Sequence, residues 1–202
     1  MKRSMSLALT LAGTMALPAV ASASDWILDP SHTTAQFSVR HMMMTSVKGD
    51  FEKVAGTVVL DDKDPTKSSL EVKIDASSIN TREPKRDAHL KSPDFFDVAK
   101  FPALTFTSTG VEKLGDTELR VTGDLTIHGV TKSVVLATEI EGAGKDPWGN
   151  ERISFSASTT INRKDFGLNW NQALEAGGLL VGEKIEIALD VQAVKAAATQ
   201  AA

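Results

Sequence analysis

The chain has 202 residues, a formal charge of −4, no cysteine, no tyrosine and 42% hydrophobic residues. A fold of that size buries roughly 70% of the surface its unfolded chain exposes, so one domain needs no disulfide. The acidic balance, with no run of Lys and Arg along the sequence, argues against a nucleic-acid partner, and 5% aromatic content disfavours a stacking platform for bases or sugars.

The first residues read as an address. Lys2 and Arg3 form a basic start, Leu7 to Val20 an apolar run of 14 interrupted by Gly13 and Pro18, and Ala21-Ser22-Ala23 a small-residue cleavage site. The run is too short for a comfortable membrane span, and the pattern is that of a cleavable signal peptide over 1–23. Its removal leaves 179 residues and takes the formal charge to −6. The expected domain is 24–192, followed by an Ala-rich tail, 193–202, that lacks strand pattern and should fray.

Strand signals then recur. Ala35, Phe37, Val39 and His41 alternate with polar residues, which places them on one face. The same period runs through Leu70-Val72-Ile74, Leu104-Phe106, Leu119-Val121 with Leu125-Ile127, Ile153-Phe155-Ala157 and Ile185-Ile187-Leu189-Val191. Val58 to Leu60 and Val134 to Ile140 are less regular but rich in β-branched residues. Turn signals separate them at 61–65, 114–116, 128–129 and 142–150. Eight or nine short strands with such punctuation predict an antiparallel barrel or sandwich.

Two connections are too long for hairpins. Ser77 to Pro102 carries the one helical stretch, in which Ala88, Leu90 and Phe95-Phe96 can cover an apolar surface. Arg163 to Glu183 contains Phe166, Trp170, Leu174 and Leu179-Leu180. A structureless loop of about 20 residues is uncommon unless functional, so a second short helix or a lid is expected there.

Reactive constellations are weak. Asp29, Ser31 and His32 have the residue types of a hydrolase triad, but Asp29-Pro30 reads as a turn. His32, His41, His89 and His128 lack metal-ligand spacing. Met42 to Met44 could attract Cu(I), yet three consecutive residues cannot all face one ion, and a pliable apolar lip suits them better. No catalytic or metal site is expected.

Several motifs together resemble the YceI-like family of exported, lipocalin-like proteins, also called polyisoprenoid-binding proteins. They are Trp26-Ile-Leu-Asp29 with Ser31-His32, Phe37-Ser-Val-Arg-His-Met42, Val47-Lys-Gly-Asp-Phe51 and Ile79-Asn-Thr81. Arg86-Asp-Ala-His-Leu90, Ser92-Pro-Asp-Phe-Phe-Asp97 and Phe101-Pro102 follow. Gly123 to Lys132 and Ile161 to Gly167 complete the set. The Met42–Met44 run and the Ala-rich tail depart from the pattern. The resemblance implies an all-β, eight-stranded antiparallel barrel with one or two short helices in its long connections. It also implies a periplasmic location and a non-covalently held isoprenoid lipid, polyprenyl or quinone-type, with no other cofactor.

By alternation, Phe37, Val39, Leu104, Phe106, Leu125, Ile127, Phe155, Ile161, Ile185 and Ile187 are candidate walls of a ligand cavity. His41 and Met43 are candidates for its mouth. Ordinary core packing needs the same residues at the same spacing. The leading expectation is a carrier of an amphiphilic lipid that exchanges transiently with a membrane, as a monomer or homodimer. Its competitors are an enzyme acting on such a lipid, built from His41, Asp87 and His89 or from Arg163 and Asp165, and an interaction or stress protein whose barrel is full.

Overall fold

A computed structural model describes residues 23–61, 63–175 and 177–197. Positions 1–22 of the expected leader and 198–202 of the expected tail lie outside the described residues. The strands are β1 (Ala23–Leu28), β2 (Thr34–His41), β3 (Thr45–Phe51), β4 (Val54–Asp61), β5 (Ser69–Asp75) and β6 (Ile79–Asn80). After helix α1 (Pro84–Lys91) come β7 (Ala103–Lys113), β8 (Glu118–Ile127), β9 (Val130–Lys145), β10 (Glu151–Asn162) and β11 (Val181–Lys195).

These elements make eight staves. β1 and β2 share one edge of β11, β1 against Ala193–Lys195 and β2 against Val181–Asp190. β4 and β3 pair with β1 and β2 in turn, and β5 and β6 pair with β4 and β3. Each of these three pairs is one bent strand. β7 to β11 follow in sequence order, every pairing is antiparallel, and contact of β11 with β1 closes the sheet. The result is a closed eight-stranded barrel with a single α-helix.

Local chemistry makes the bends. The Asp29 carboxylate accepts the Ser31 N–H at 2.9 Å, turning the chain between β1 and β2. At the next corner, the Ser78 hydroxyl accepts the Lys53 N–H at 3.1 Å and donates to the Asp75 carbonyl at 2.6 Å. One serine therefore ties the β3–β4 bend to the β5–β6 bend. The expected turn at His128-Gly129 is a two-residue hairpin with φ of 51° and 73°, as a twist-matched connection requires. The expected loop 142–150 shortens to 146–150, because β9 stays paired with β10 as far as Lys145.

Two further expectations change. The domain does not end at 192: Ala193 to Lys195 pair with β1, and Ala193 is fully buried. Barrel closure uses these residues, and no alternation within the tail announces it. In α1, Ala88 is exposed, while Leu90 turns inward. The helix begins at Pro84, with the Glu83 side chain accepting the Lys85 N–H, and stops at Ser92, consistent with proline at the first position and a polar cap. In the second long connection a 3-10 turn, Arg163–Phe166, ends at Gly167 with φ of 79°. The chain then returns irregularly through an isolated bridge between Ala173 and Leu179.

Candidate functional site: an apolar cavity along the barrel

The inward side chains pack into three hydrophobic clusters and leave a hollow between them. They enclose a cavity of about 440 Å³, within the roughly 300–1,000 Å³ usual for small-molecule sites. Phe37, Val39, Leu104, Phe106, Leu125, Ile127, Phe155, Ile161, Ile185 and Ile187 all line it. Phe37, Val39, Phe155, Ile185 and Ile187 stay only half-buried although they point inward, because the space they face is open. Residues 104, 106 and 127 are buried and belong to the packed part of the wall.

His41 and Met43 lie outside this lining. His41 is the last residue of β2, and Met43 sits at the β2–β3 hairpin tip with φ of 60° and 68% exposure. His41 keeps the register of Phe37 and Val39 but lies beyond the lining, level with Val181 and Thr45, while Met43 belongs to the turn.

Glycines set the shape of the wall. A Cβ on Gly49 would stand 2.6 Å from Phe37 Cζ, and one on Gly123 2.3 Å from Phe106 Cζ. Each ring lies over the bare backbone of the neighbouring strand, which seats it flat against the wall.

One end of the cavity is closed by the two long connections. Leu90, Phe95 and Phe96 line it from the helical segment, and Arg163 and Leu168 from the other. The connections meet at Trp170, whose ring lies edge-on to His89 at 4.8 Å and tilted on Phe95 at 5.2 Å. At the opposite end Asp61, Pro65, Ser68 and Ser69 contribute the lining.

Of the two charged residues in this wall, Asp61 and Arg163, Arg163 is the buried one, 3% exposed. Its Nε donates to the Gly182 carbonyl at 2.9 Å, and its other nitrogens donate to the carbonyls of Leu168 and Val181. Burial pulls its pKa down, partly opposed by the nearby Glu183 carboxylate. The sequence offered it only with Asp165, as part of an enzyme; alternation adds its direction, since after Phe155, Ala157, Thr159 and Ile161, Arg163 is the next inward position. Asn171 adds a second clasp, exchanging two hydrogen bonds with the Val181 backbone at 2.7 and 3.0 Å.

The other candidates disperse. His32 pairs with Asp29 at 2.9 Å, and Asp29 also receives Arg152 Nη1 at 2.6 Å. Arg152 bridges in turn to Asp146 at 2.8 Å. The Arg152 bond, then the His32 bond, hold Asp29 down at about 2. Asp146 is held well below the usual carboxylate range by Asn150 first and then by Arg152. Ser31 contributes its backbone N–H to this turn. His89 bonds Asp94 at 2.8 Å, while Asp87 accepts the Thr81 N–H at 2.8 Å, and neither bond involves His41. Among the described residues, no group of three or more His, Cys, Asp and Glu could hold a metal ion.

A closed antiparallel barrel around an open apolar interior defines a lipocalin-like cavity protein. The chain belongs to the YceI-like family, whose domain matches residues 26–193. It is 42% identical over 170 residues to protein YceI of Escherichia coli O157:H7, covering 83% of this chain and 88% of that one. The crystal structure of Campylobacter jejuni YceI aligns with a TM-score of 0.65 at 32% identity, over 78% of this chain and 90% of that one. A polyisoprenoid binding domain from Saccharophagus degradans shares the fold at 16% identity, TM-score 0.64, over 87% of this chain and 100% of that one.

Proposed function

We propose that this protein is an exported periplasmic carrier that shelters the chain of an isoprenoid lipid, of polyprenyl or quinone type, inside its barrel. The observation that carries the reading is the cavity of about 440 Å³ walled by the inward half of each strand. The Saccharophagus degradans domain of the same fold, described as polyisoprenoid binding, supports the ligand class, and the leader at 1–23 supports the compartment.

Magnitudes favour a carrier. A 150 Å³ apolar cavity takes one benzene, so this one shelters about 18 carbons as it stands. At about 0.8 kcal/mol per CH₂, that is roughly 14 kcal/mol gross relative to water, from which association costs of several kcal/mol are subtracted. The competitor in a cell is the bilayer, which is equally apolar, so transfer between bilayer and cavity is close to neutral. Strong retention in water with easy exchange at a membrane is what a shuttle needs. Solvation does the work, and no bond changes.

Native mass spectrometry and lipid extraction of folded protein from its own host test this. A prenyl lipid should be recovered, or taken up on incubation with one. Recovery of none under both conditions would remove the proposal.

A further inference from the structure

We propose that the β2–β3 hairpin tip is a bilayer-docking lip that brings the roofed end of the barrel to an anionic membrane surface. The inference rests on the carrier reading for its purpose but on separate residues for its evidence. Met43 and Met44 are each 68% exposed and Met42 38%, three consecutive thioethers presented to solvent. The backbone presents them deliberately, since Met42 and Met43 hold positive φ of 50° and 60°, a conformation non-glycine residues rarely adopt.

The patch continues into the adjacent connection. The Met42 N–H donates to the Leu180 carbonyl at 2.8 Å, and Met43 lies so close over Gly178 that a Cβ there would be 2.5 Å from its sulfur. Leu179 adds a further 37% exposed apolar side chain. Two residues later Val181 lines the cavity. Apolar surface therefore runs from solvent to the cavity wall over three consecutive residues.

Charge says what covers it. Directly behind the tip stand Arg40, Lys48 and Lys184, all exposed. The Arg40 guanidinium donates to the Met43 and Met44 carbonyls at 3.2 Å, which keeps a cation beneath the thioethers. Of the acids nearby, Glu183 is paired with Lys164, Glu186 stands level with Lys48 on the far side of Ser38, and Glu175 lies in the connection. An apolar tip with a basic collar is the arrangement of interfacial membrane segments, and each cation near an anionic leaflet strengthens binding about fivefold. A second copy of the chain fits worse, because a two-fold contact through this patch would set the same cations against each other.

The test uses the intact protein and two kinds of vesicle, phosphatidylethanolamine with phosphatidylglycerol and phosphatidylcholine alone, neither containing prenyl lipid. Flotation should show binding to the anionic vesicles. The double variant Met43→Ser/Met44→Ser should lose at least about tenfold of it, and Lys48→Glu should lose binding to the anionic vesicles selectively. Retention of prenyl lipid in water, measured without vesicles, should be unchanged in all variants. No vesicle binding by the wild type, or equal binding by the double variant, overturns the lip. A wild-type dimer in light scattering that Met43→Ser/Met44→Ser converts to monomer overturns it in favour of a second copy. Loss of lipid retention in the wild type would instead count against the carrier reading and leave the vesicle result to be judged alone.

Discussion

Arg163 Nε and the Gly182 carbonyl lie 2.9 Å apart across 19 residues of chain, so one side chain fastens both ends of the connection that roofs the barrel. With Leu168 and Val181 as its other acceptors, this guanidinium does for the roof what a sheet ladder does for the wall. Replacing it with Met leaves buried carbonyls unsatisfied, at about 1–3 kcal/mol each. Arg163→Met should lower stability by about 3 kcal/mol in urea denaturation and speed amide exchange over 168–182. Unchanged exchange there would mean that the roof is held by other contacts.

Ala157 tests whether the hollow is real. It lines the cavity on β10 beside Leu189. In a filled core, Ala157→Phe would cost about 1–3 kcal/mol through overpacking. Facing an open cavity, it should leave thermal stability unchanged or higher while displacing lipid. Calorimetry and lipid extraction on the same sample check both halves.

Gly49 tests the wall from behind. Adding a methyl there places carbon 2.6 Å from Phe37 Cζ and 2.8 Å from Thr81 Cγ2. The Phe37 ring has somewhere to go, namely the cavity. Gly49→Ala should therefore cost only about 1 kcal/mol yet reduce the lipid retained per protein, measured by native mass spectrometry.

Acid stability follows from the Asp29–Arg152 pair. Asp29 is held at about 2, below its ordinary 3.8. A carboxylate lowered on folding stabilises the fold above its unfolded pKa, and that contribution disappears as pH falls through the folded value. The melting temperature should drop between pH 4 and pH 2. Asp29→Asn should melt lower at pH 7 and show a shallower fall over that window. Parallel curves for wild type and variant would assign the acid transition to other carboxylates.

Export makes a mass prediction. Protein recovered from the periplasm should begin at Ser24, after cleavage following Ala23, and intact-mass measurement with cell fractionation checks it. Full-length mass or a cytoplasmic location would contradict the reading of Lys2 to Ala23.

The strands most legible beforehand are those whose inward residues are large. Phe37-Val39, Leu104-Phe106 and Ile185 to Val191 announce both strand and face. β3 was harder to see: its inward positions are Val47, Gly49 and Phe51, and the glycine that breaks the pattern is there because the Phe37 ring occupies its side-chain space. β1 and the last three residues of β11 were invisible for a related reason. They are strands because they pair with each other and close the barrel, and pairing partners far apart in sequence leave no local period. The direction of Arg163 was open to discovery by counting in twos from Phe155. Its role was not, since its acceptors are carbonyls from a segment that returns 5 to 19 residues later.

Residue order alone thus settles which way each side chain points, since in an extended chain successive Cβ atoms alternate. It cannot settle whether opposite walls touch. That distance depends on the number and tilt of the staves and on how closely rings such as Phe37 and Phe106 lie against bare glycine backbone. Those quantities exist only once the sheet has closed on itself, and they decide between a packed core and a chamber.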